Sequence, residues 1–440
     1  MTKDRLDVLF LCDYQDDIAA TVRDHIQALE RNSRHRYWRL SMLGDMPSAL
    51  ELDRFDALIV HYTLVACSEH YLSTMSRQRI AGFRGLKAMF IQDEYRFVDA
   101  TIRAIGEMGI NLLFTCVPEG EIQKVYPDEK LPGVAKVNVL TGYVPDGLAA
   151  RSVPPLAARK VDIGYRGRSV PAWLGRLGQE KLAIGLRVAQ DAPRFGLVID
   201  ISFREEDRLY GDDWIEFVGA CKAMLGVESG ASVFDFGGDI QRNVENHLKR
   251  DPAAGFETLH DLYFAAEEGK IKLAQISPRC FESAALGTLM ILYEGDYSGI
   301  LVPWRHYVPL KKDHSNFEQV VAVLRDHARI TEITAQARAE IALNPRFSFR
   351  HAVSEIDAWL DRLMRVEMKA RGAPYTVSAF RRISAFRFTT MRRRMFRWWM
   401  KAMYRFLFGF VFGWAPPERR DRIHRRLRQV YYIATFHALR

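Results

Sequence analysis

Residues 277–293 read Ser277-Pro278-Arg279-Cys280-Phe281-Glu282-Ser283-Ala284-Ala285-Leu286-Gly287-Thr288-Leu289-Met290-Ile291-Leu292-Tyr293. They specify a turn, a short helix, a glycine stop and an apolar strand, in that order. Ser277 or Pro278 can open the helix, and Glu282 falls in its first turns, where the positive end of the helix dipole favours a carboxylate. Phe281, Ala284 and Ala285 give a small apolar face suited to packing on a sheet. Gly287 ends the helix, and the strand after it delivers Glu294, Gly295, Asp296, Tyr297, Ser298 and Gly299 to one sheet edge. A carboxylate and several backbone amides are thereby gathered at one crevice, as nucleotide sites in open α/β sheets require.

The same alternation runs outward in both directions. Short apolar strands are expected at 7–12, 37–40, 55–62, 87–94, 111–116 and 137–140, separated by helical segments such as 17–29 and 98–108. Such a series indicates a parallel, doubly wound sheet. Proline and alanine enrich residues 145–160, which read as a linker. A second series opens at 161–167, with strands expected at 196–201, 232–236 and 272–276 and amphipathic helices at 316–327 and 348–363. The expected fold is α/β, with two Rossmann-like domains facing a cleft. Residues 1–145 form the first domain, 146–160 the linker and 161–366 the second domain; 367–440 form a basic aromatic helical tail. One elongated α/β domain with insertions is the structural alternative.

At 440 residues the chain exceeds one ordinary core. Cys12, Cys67, Cys116, Cys221 and Cys280 show no paired spacing, so neither a zinc motif nor a disulfide framework is indicated, and a reducing compartment is expected. The charged N-terminus does not read as a signal peptide, and no apolar run approaches a membrane span. The net charge of +9 conceals an asymmetry. Residues 371–440 hold 16 Arg and one Lys against one Glu and one Asp, a net +15, which leaves −6 on the other 370 residues.

The pattern Ser-Pro-Arg-x-Phe-Glu-x-Ala-Ala-x-Gly-Thr closely resembles the donor-binding helix of group-1 glycosyltransferases with the GT-B fold. Among these it looks most like the branch related to the spore-maturation glycosyltransferases. The resemblance implies that Glu282 holds the ribose hydroxyls of a nucleotide-sugar. It matches Arg168 to the arginine of the family's Gly-Arg turn and Lys181 to the lysine that follows, with Arg176 competing because 173–179 lengthen that segment. A further glutamate lies eight residues before the ribose glutamate in the family pattern and contacts the donor sugar; that position here is Ala274. Ser277 and Arg279 stand near enough to replace it, Arg279 as a phosphate clamp. Arg279 and Glu282, three apart on a helix, are equally suited to a plain ion pair. In the loop after the strand, Gly295, Ser298 and Gly299, with Tyr297 between them, can offer amides to a phosphate; an ordinary strand-to-helix turn is the alternative.

On the acceptor side the candidates sit at strand ends: Asp13 and Tyr14, His61 and Tyr62, Asp93 and Glu94. His61, Asp93 or Glu94 could serve as general base toward an acceptor hydroxyl. There is no Asp-x-Asp triplet and no His or Cys pair at ligand spacing, so no metal or other cofactor is expected. Basic groups and helix N-termini would instead stabilise the leaving diphosphate. In the tail, arginines interleave with aromatic residues from 380 to 414, a composition that settles in a bilayer interface. The apolar run 408–414 argues against a nucleic-acid arm. The chain is thus expected to be a glycosyltransferase on the cytoplasmic face of a membrane, transferring a sugar from a nucleotide-sugar to a glycan or lipid-linked acceptor. The alternatives are transfer of another nucleotide-activated group and a non-catalytic scaffold of the same fold.

Overall fold

The computed structural model describes residues 5–15, 18–385 and 399; of the tail expected over 367–440, residues 386–440 apart from 399 lie outside the described residues. Six parallel strands form the first sheet: β1 (Asp7–Cys12), β2 (Arg36–Ser41), β3 (Ala57–Val60), β4 (Leu86–Ile91), β5 (Leu112–Thr115) and β6 (Ala135–Asn138). Their order is β2-β1-β3-β4-β5-β6. Every residue of β1, β3 and β5 is buried, because helices cover both faces and the strands carry apolar side chains on both.

The second sheet is built from β7 (Val161–Arg166), β8 (Ile199–Ser202), β9 (Cys221–Gly226), β12 (Leu289–Tyr293) and β13 (Val308–Leu310). All pairs are parallel, in the order β13-β12-β9-β7-β8. A short antiparallel pair, β10 (Ser229–Ala231) with β11 (Leu273–Gln275), stands beside it. The strand order reverses between β7 and β9. Their carboxyl ends therefore border the crevice where open α/β sheets bind ligands. The architecture is two Rossmann-like domains.

Three features differ from the sequence reading. The central strand β9 is not among the expected strands, and 232–236 forms no strand, only a bridge of Asp235 to Arg96 in the first domain. Second, the helix Phe349–Leu363 belongs by packing to the first domain and not to 161–366. Phe349, Val353, Ile356 and Leu360 join the core of Val8, Phe10 and Ile59, and Asp357 accepts from Ser33 Oγ and the Arg34 amide at 2.7 and 2.9 Å. Third, the tail assigned from 367 begins as part of the folded body. Tyr375 and Phe380 are buried beside Phe55 and Trp38, with ring centroids 5.7 and 5.1 Å apart. Apolar burial draws both segments back to the first sheet.

The segment from β10 into the start of β11 also reaches across. Phe234, Ile271 and Leu273 are buried within the first domain's core, and the Asp235 amide donates to the Tyr95 carbonyl at 2.8 Å.

Candidate functional site

Gly167 and Arg168 follow directly from β7, and Glu228 lies two residues beyond β9. The helix Gly175–Asp191 brings Lys181 to this edge, and the helix Pro278–Ala285 brings Arg279 and Glu282. Tyr165, fully buried in β7, ties these helices together. Its hydroxyl donates to the Lys181 carbonyl at 2.7 Å, and the Arg279 guanidinium lies 5.8 Å from its ring centre. Arg279 also stacks over Trp214 at 5.3 Å, a favourable cation–π geometry. Trp214 Nε1 in turn donates to Glu282 Oε2 at 2.8 Å.

Arg279 and Glu282 therefore form no ion pair; Trp214 partners both. Glu282 is buried, and burial raises its carboxyl above the usual range, offset by the Trp214 hydrogen bond and by Arg279. Lys181 is pushed down to about 8, first by burial and then by Arg168, with Arg279 acting in the same sense and Asp93 against it. Arg168, Lys181, Arg279 and Asp93 thus share one electrostatic neighbourhood, although Asp93 belongs to the other domain. Arg176, the rival for Lys181, is engaged elsewhere in a bidentate pair with Glu257 at 2.8–2.9 Å.

Ser277 is the half-buried N-cap residue of the helix Pro278–Ala285, and its hydroxyl caps no amide there. The loop after β12 is not an open cradle. The Asp296 and Tyr297 amides both donate to Glu228 Oε1, at 3.1 and 2.8 Å, and the Gly299 amide donates to the Asp296 carbonyl. A Cβ on Gly295 would lie 2.7 Å from a Glu228 carboxylate oxygen, so a larger residue there would push Glu228 from the position in which it holds the two amides. Tyr297 is buried with its hydroxyl on the Tyr293 carbonyl, and Ser298 Oγ accepts from the Ile276 amide at 3.1 Å. The anion held by the Asp296 and Tyr297 amides is the protein's own Glu228, so of the amides expected for a phosphate at Gly295, Ser298 and Gly299 the last is already engaged, by the Asp296 carbonyl.

On the acceptor side, adjacent residues at a strand end point to opposite faces. Asp93 is exposed after β4, with φ 55°, a left-handed conformation that aspartate tolerates better than most residues. Glu94 turns inward. It accepts from Thr115 Oγ1, from the Cys116 amide at 2.7 Å and from Tyr126 OH at 2.7 Å, and burial pushes its carboxyl up to about 7. His61 is also interior: Nε2 lies 3.0 Å from His25 Nδ1, and Nδ1 lies 3.1 Å from Thr63 Oγ1. Glu94 and His61 are built into the first domain and cannot reach an acceptor in the cleft. Of the three base candidates, Asp93 alone is exposed and contributes to the field at the Lys181 amine.

Sequence reading missed Trp214 and gave Glu228 no role. A tryptophan on an amphipathic helix carries no signal that separates a ligand-site residue from a core one. Among the described residues, no group of three or more His, Cys, Asp or Glu side chains is gathered as for a metal, and no helix is long and apolar enough to cross a membrane.

No family model matches the chain, and no curated protein matches it in sequence. Solved structures do resemble it. A glycosyltransferase from Rickettsia africae aligns over 82% of this chain and 100% of its own, at 9% identity and a TM-score of 0.48. An α-glucosyltransferase in complex with UDP and a 13-mer DNA containing a HMU base aligns over 76% and 94%, at 10% identity and 0.45. The GtfA/B complex aligns over 71% of this chain, at 10% identity and 0.40, and the chain spans only 58% of that relative's length. With each of these scores below 0.5, the assignment of fold rests on the two sheets themselves.

Proposed function

We propose that this chain is a glycosyltransferase that moves a sugar from a nucleotide-sugar to an acceptor hydroxyl across the cleft between its domains. The observation that carries this reading is the convergence of Arg168, Lys181 and Arg279 beside the buried Glu282, opposite Asp93. Breaking the bond between the sugar's anomeric carbon and the diphosphate leaves an extra negative charge on the departing phosphate. Three cations, one just past β7 and two on the helices beside it, stabilise that charge without reorganising, which is the main demand of the reaction. Because they meet that demand, we read the transfer as metal-independent. Glu282, held by Trp214, accepts from the ribose hydroxyls. Asp93 takes the proton from the acceptor hydroxyl as its oxygen bonds to the anomeric carbon.

The acceptor is read as a glycan or lipid-linked intermediate at the cytoplasmic face of a membrane. The support is the +15 charge of residues 371–440, interleaved with aromatics. Basic residues near an anionic leaflet contribute about 1 kcal/mol each, so a fraction of them suffices for attachment.

The test is calorimetric titration of the full chain with ADP, GDP, UDP and dTDP, followed by hydrolysis assays with sugar derivatives of whichever binds. One nucleoside diphosphate should bind, and Arg279→Ala should weaken it. Failure of all four would remove the donor site from this reading.

A further inference from the structure

The loop after β12 has an unusual backbone. Tyr297, Ser298 and Gly299 take φ values of 48°, 58° and 67° in succession. Two of the three carry side chains, and left-handed backbone costs such residues free energy unless the surroundings hold it in place. Within this segment the holding group is Glu228, a buried carboxylate whose Oε1 accepts both the Asp296 and the Tyr297 amides. Gly295 leaves the space through which the carboxylate reaches them.

Two connections run from Glu228 to the start of the donor helix. The first goes through the loop: Ser298 Oγ accepts the Ile276 amide at 3.1 Å, one residue before Ser277. The second goes through the short sheet. Ser229, next in the chain after Glu228, is paired with Gln275. Both end within four residues of Arg279. Ile276 is further fixed from the first domain, where Thr141 Oγ1 donates to its carbonyl at 2.7 Å.

From this geometry we infer that Glu228 is a positioning residue for nucleotide binding: by accepting the Asp296 and Tyr297 amides it holds the loop that carries Ser298 and so fixes where the helix carrying Arg279 and Glu282 begins. This rests on the donor-site reading above. Glu228 makes no contact with the nucleotide in this account and acts through Ser298, Ile276 and the helix. Because one oxygen accepts both amides, a glutamine carbonyl can replace it, whereas alanine takes the acceptor from the buried Tyr297 amide and the part-buried Asp296 amide.

The experiment measures affinity of the full chain for the same four nucleoside diphosphates in Glu228→Ala, Glu228→Gln, Ser298→Ala and Arg279→Ala, and in the double variant of Glu228→Ala with Arg279→Ala. Loss of hydrogen bonds to a charged group predicts roughly tenfold weaker binding in Glu228→Ala, with Glu228→Gln restored to within about threefold of the wild type. Ser298→Ala should weaken binding in the same direction. Should Glu228→Ala not fold, the exposed Ser298 site and the glutamine variant still decide the matter. The double variant should bind little worse than Arg279→Ala alone, because both changes remove the same placed guanidinium. A wild type that binds while Glu228→Ala binds equally well, or losses that add in full, would overturn this inference alone. A wild type that binds none of the four would overturn the donor site with it.

Discussion

The Val144 amide donates to the Phe347 carbonyl at 2.9 Å, and Val144 pairs with Ser348 as an isolated parallel bridge. The chain leaving the first domain is thus bonded to the chain coming back. A second set of main-chain bonds, Asp235 to Tyr95 at 2.8 Å and Asp99 to Phe236 at 3.1 Å, joins the domains elsewhere. The cleft is framed by these two attachments, and Asp93 lies two residues from one of them. The placement of Asp93 toward Lys181 is therefore built into the fold.

Replacing Glu282 with alanine should weaken nucleoside diphosphate binding by about tenfold to a hundredfold, since hydrogen bonds to a charged group are worth about 1.5–3 kcal/mol each. Trp214→Phe should show the same direction at smaller size, because it keeps the ring under Arg279 but loses the donor to Glu282. Isothermal titration against the wild type measures both. Unchanged affinity in Glu282→Ala would remove the ribose assignment.

Lys181 gives binding a pH dependence of known sign. Its amine is depressed from 10.5 to about 8, and an anionic ligand binds the protonated form better. Affinity should fall as pH rises past about 8, by up to tenfold per pH unit. Lys181→Arg keeps its proton throughout, so its affinity should stay level from pH 7 to 9. Equal slopes in the two proteins would show that another group titrates there.

Glu94 should leave its mark on stability. Its carboxyl is raised from 4.5 to about 7 in the folded chain, so between those values the folded state holds a proton that the unfolded chain has released. Stability is then lost as pH rises through this window, by up to about 1.4 kcal/mol per unit, and levels off above it. Burial depresses His25 to about 4, which acts oppositely: its contribution is lost as pH falls below 6.5. The comparison is therefore Glu94→Gln against wild type at each pH. Urea unfolding at pH 5, 6, 7 and 8 should show the variant gaining relative to wild type as pH rises. Parallel curves would rule the carboxyl out.

Two truncations separate the folded body from the tail. Ending the chain after Val366 deletes Tyr375 and Phe380, and loss of one buried phenylalanine alone costs about 3–5 kcal/mol. Ending it after Ala385 keeps both. The longer variant should melt with the full chain yet lose flotation with anionic liposomes, while the shorter one should melt earlier. Flotation retained by the longer variant would place membrane attachment in the folded body.

How much of this is legible in the sequence depends on how each residue is held. Strands such as Leu112–Thr115, covered on both faces, are plain apolar runs. Cys221–Gly226 is mostly buried too but follows the helix Gly211–Ala220 with no turn residue between them, so its pattern merges with the helix before it. Arg168 and Arg279 are legible because a glycine turn and a helix start mark their positions, whereas Lys181 is separated from Arg176 only by the structure, where Arg176 pairs with Glu257. Trp214 is not legible, because it meets Glu282 across 68 residues of chain. Asp93 and Glu94 cannot be told apart in sequence, since which one faces the cleft depends on the phase in which β4 ends.

The return of Phe349–Leu363 to the first sheet has a consequence for the order of synthesis. At roughly 5–20 residues per second, about 10–50 s pass between translation of β6 and of the helix that covers this sheet's face. Until then Val8, Phe10 and Ile59 lack the partners Phe349, Val353, Ile356 and Leu360. The second domain, whose strands all lie between 161 and 310, can close its own sheet before the domain that precedes it is complete. A nascent chain stalled before residue 349 should therefore present an apolar face on its N-terminal half, where a chaperone would bind.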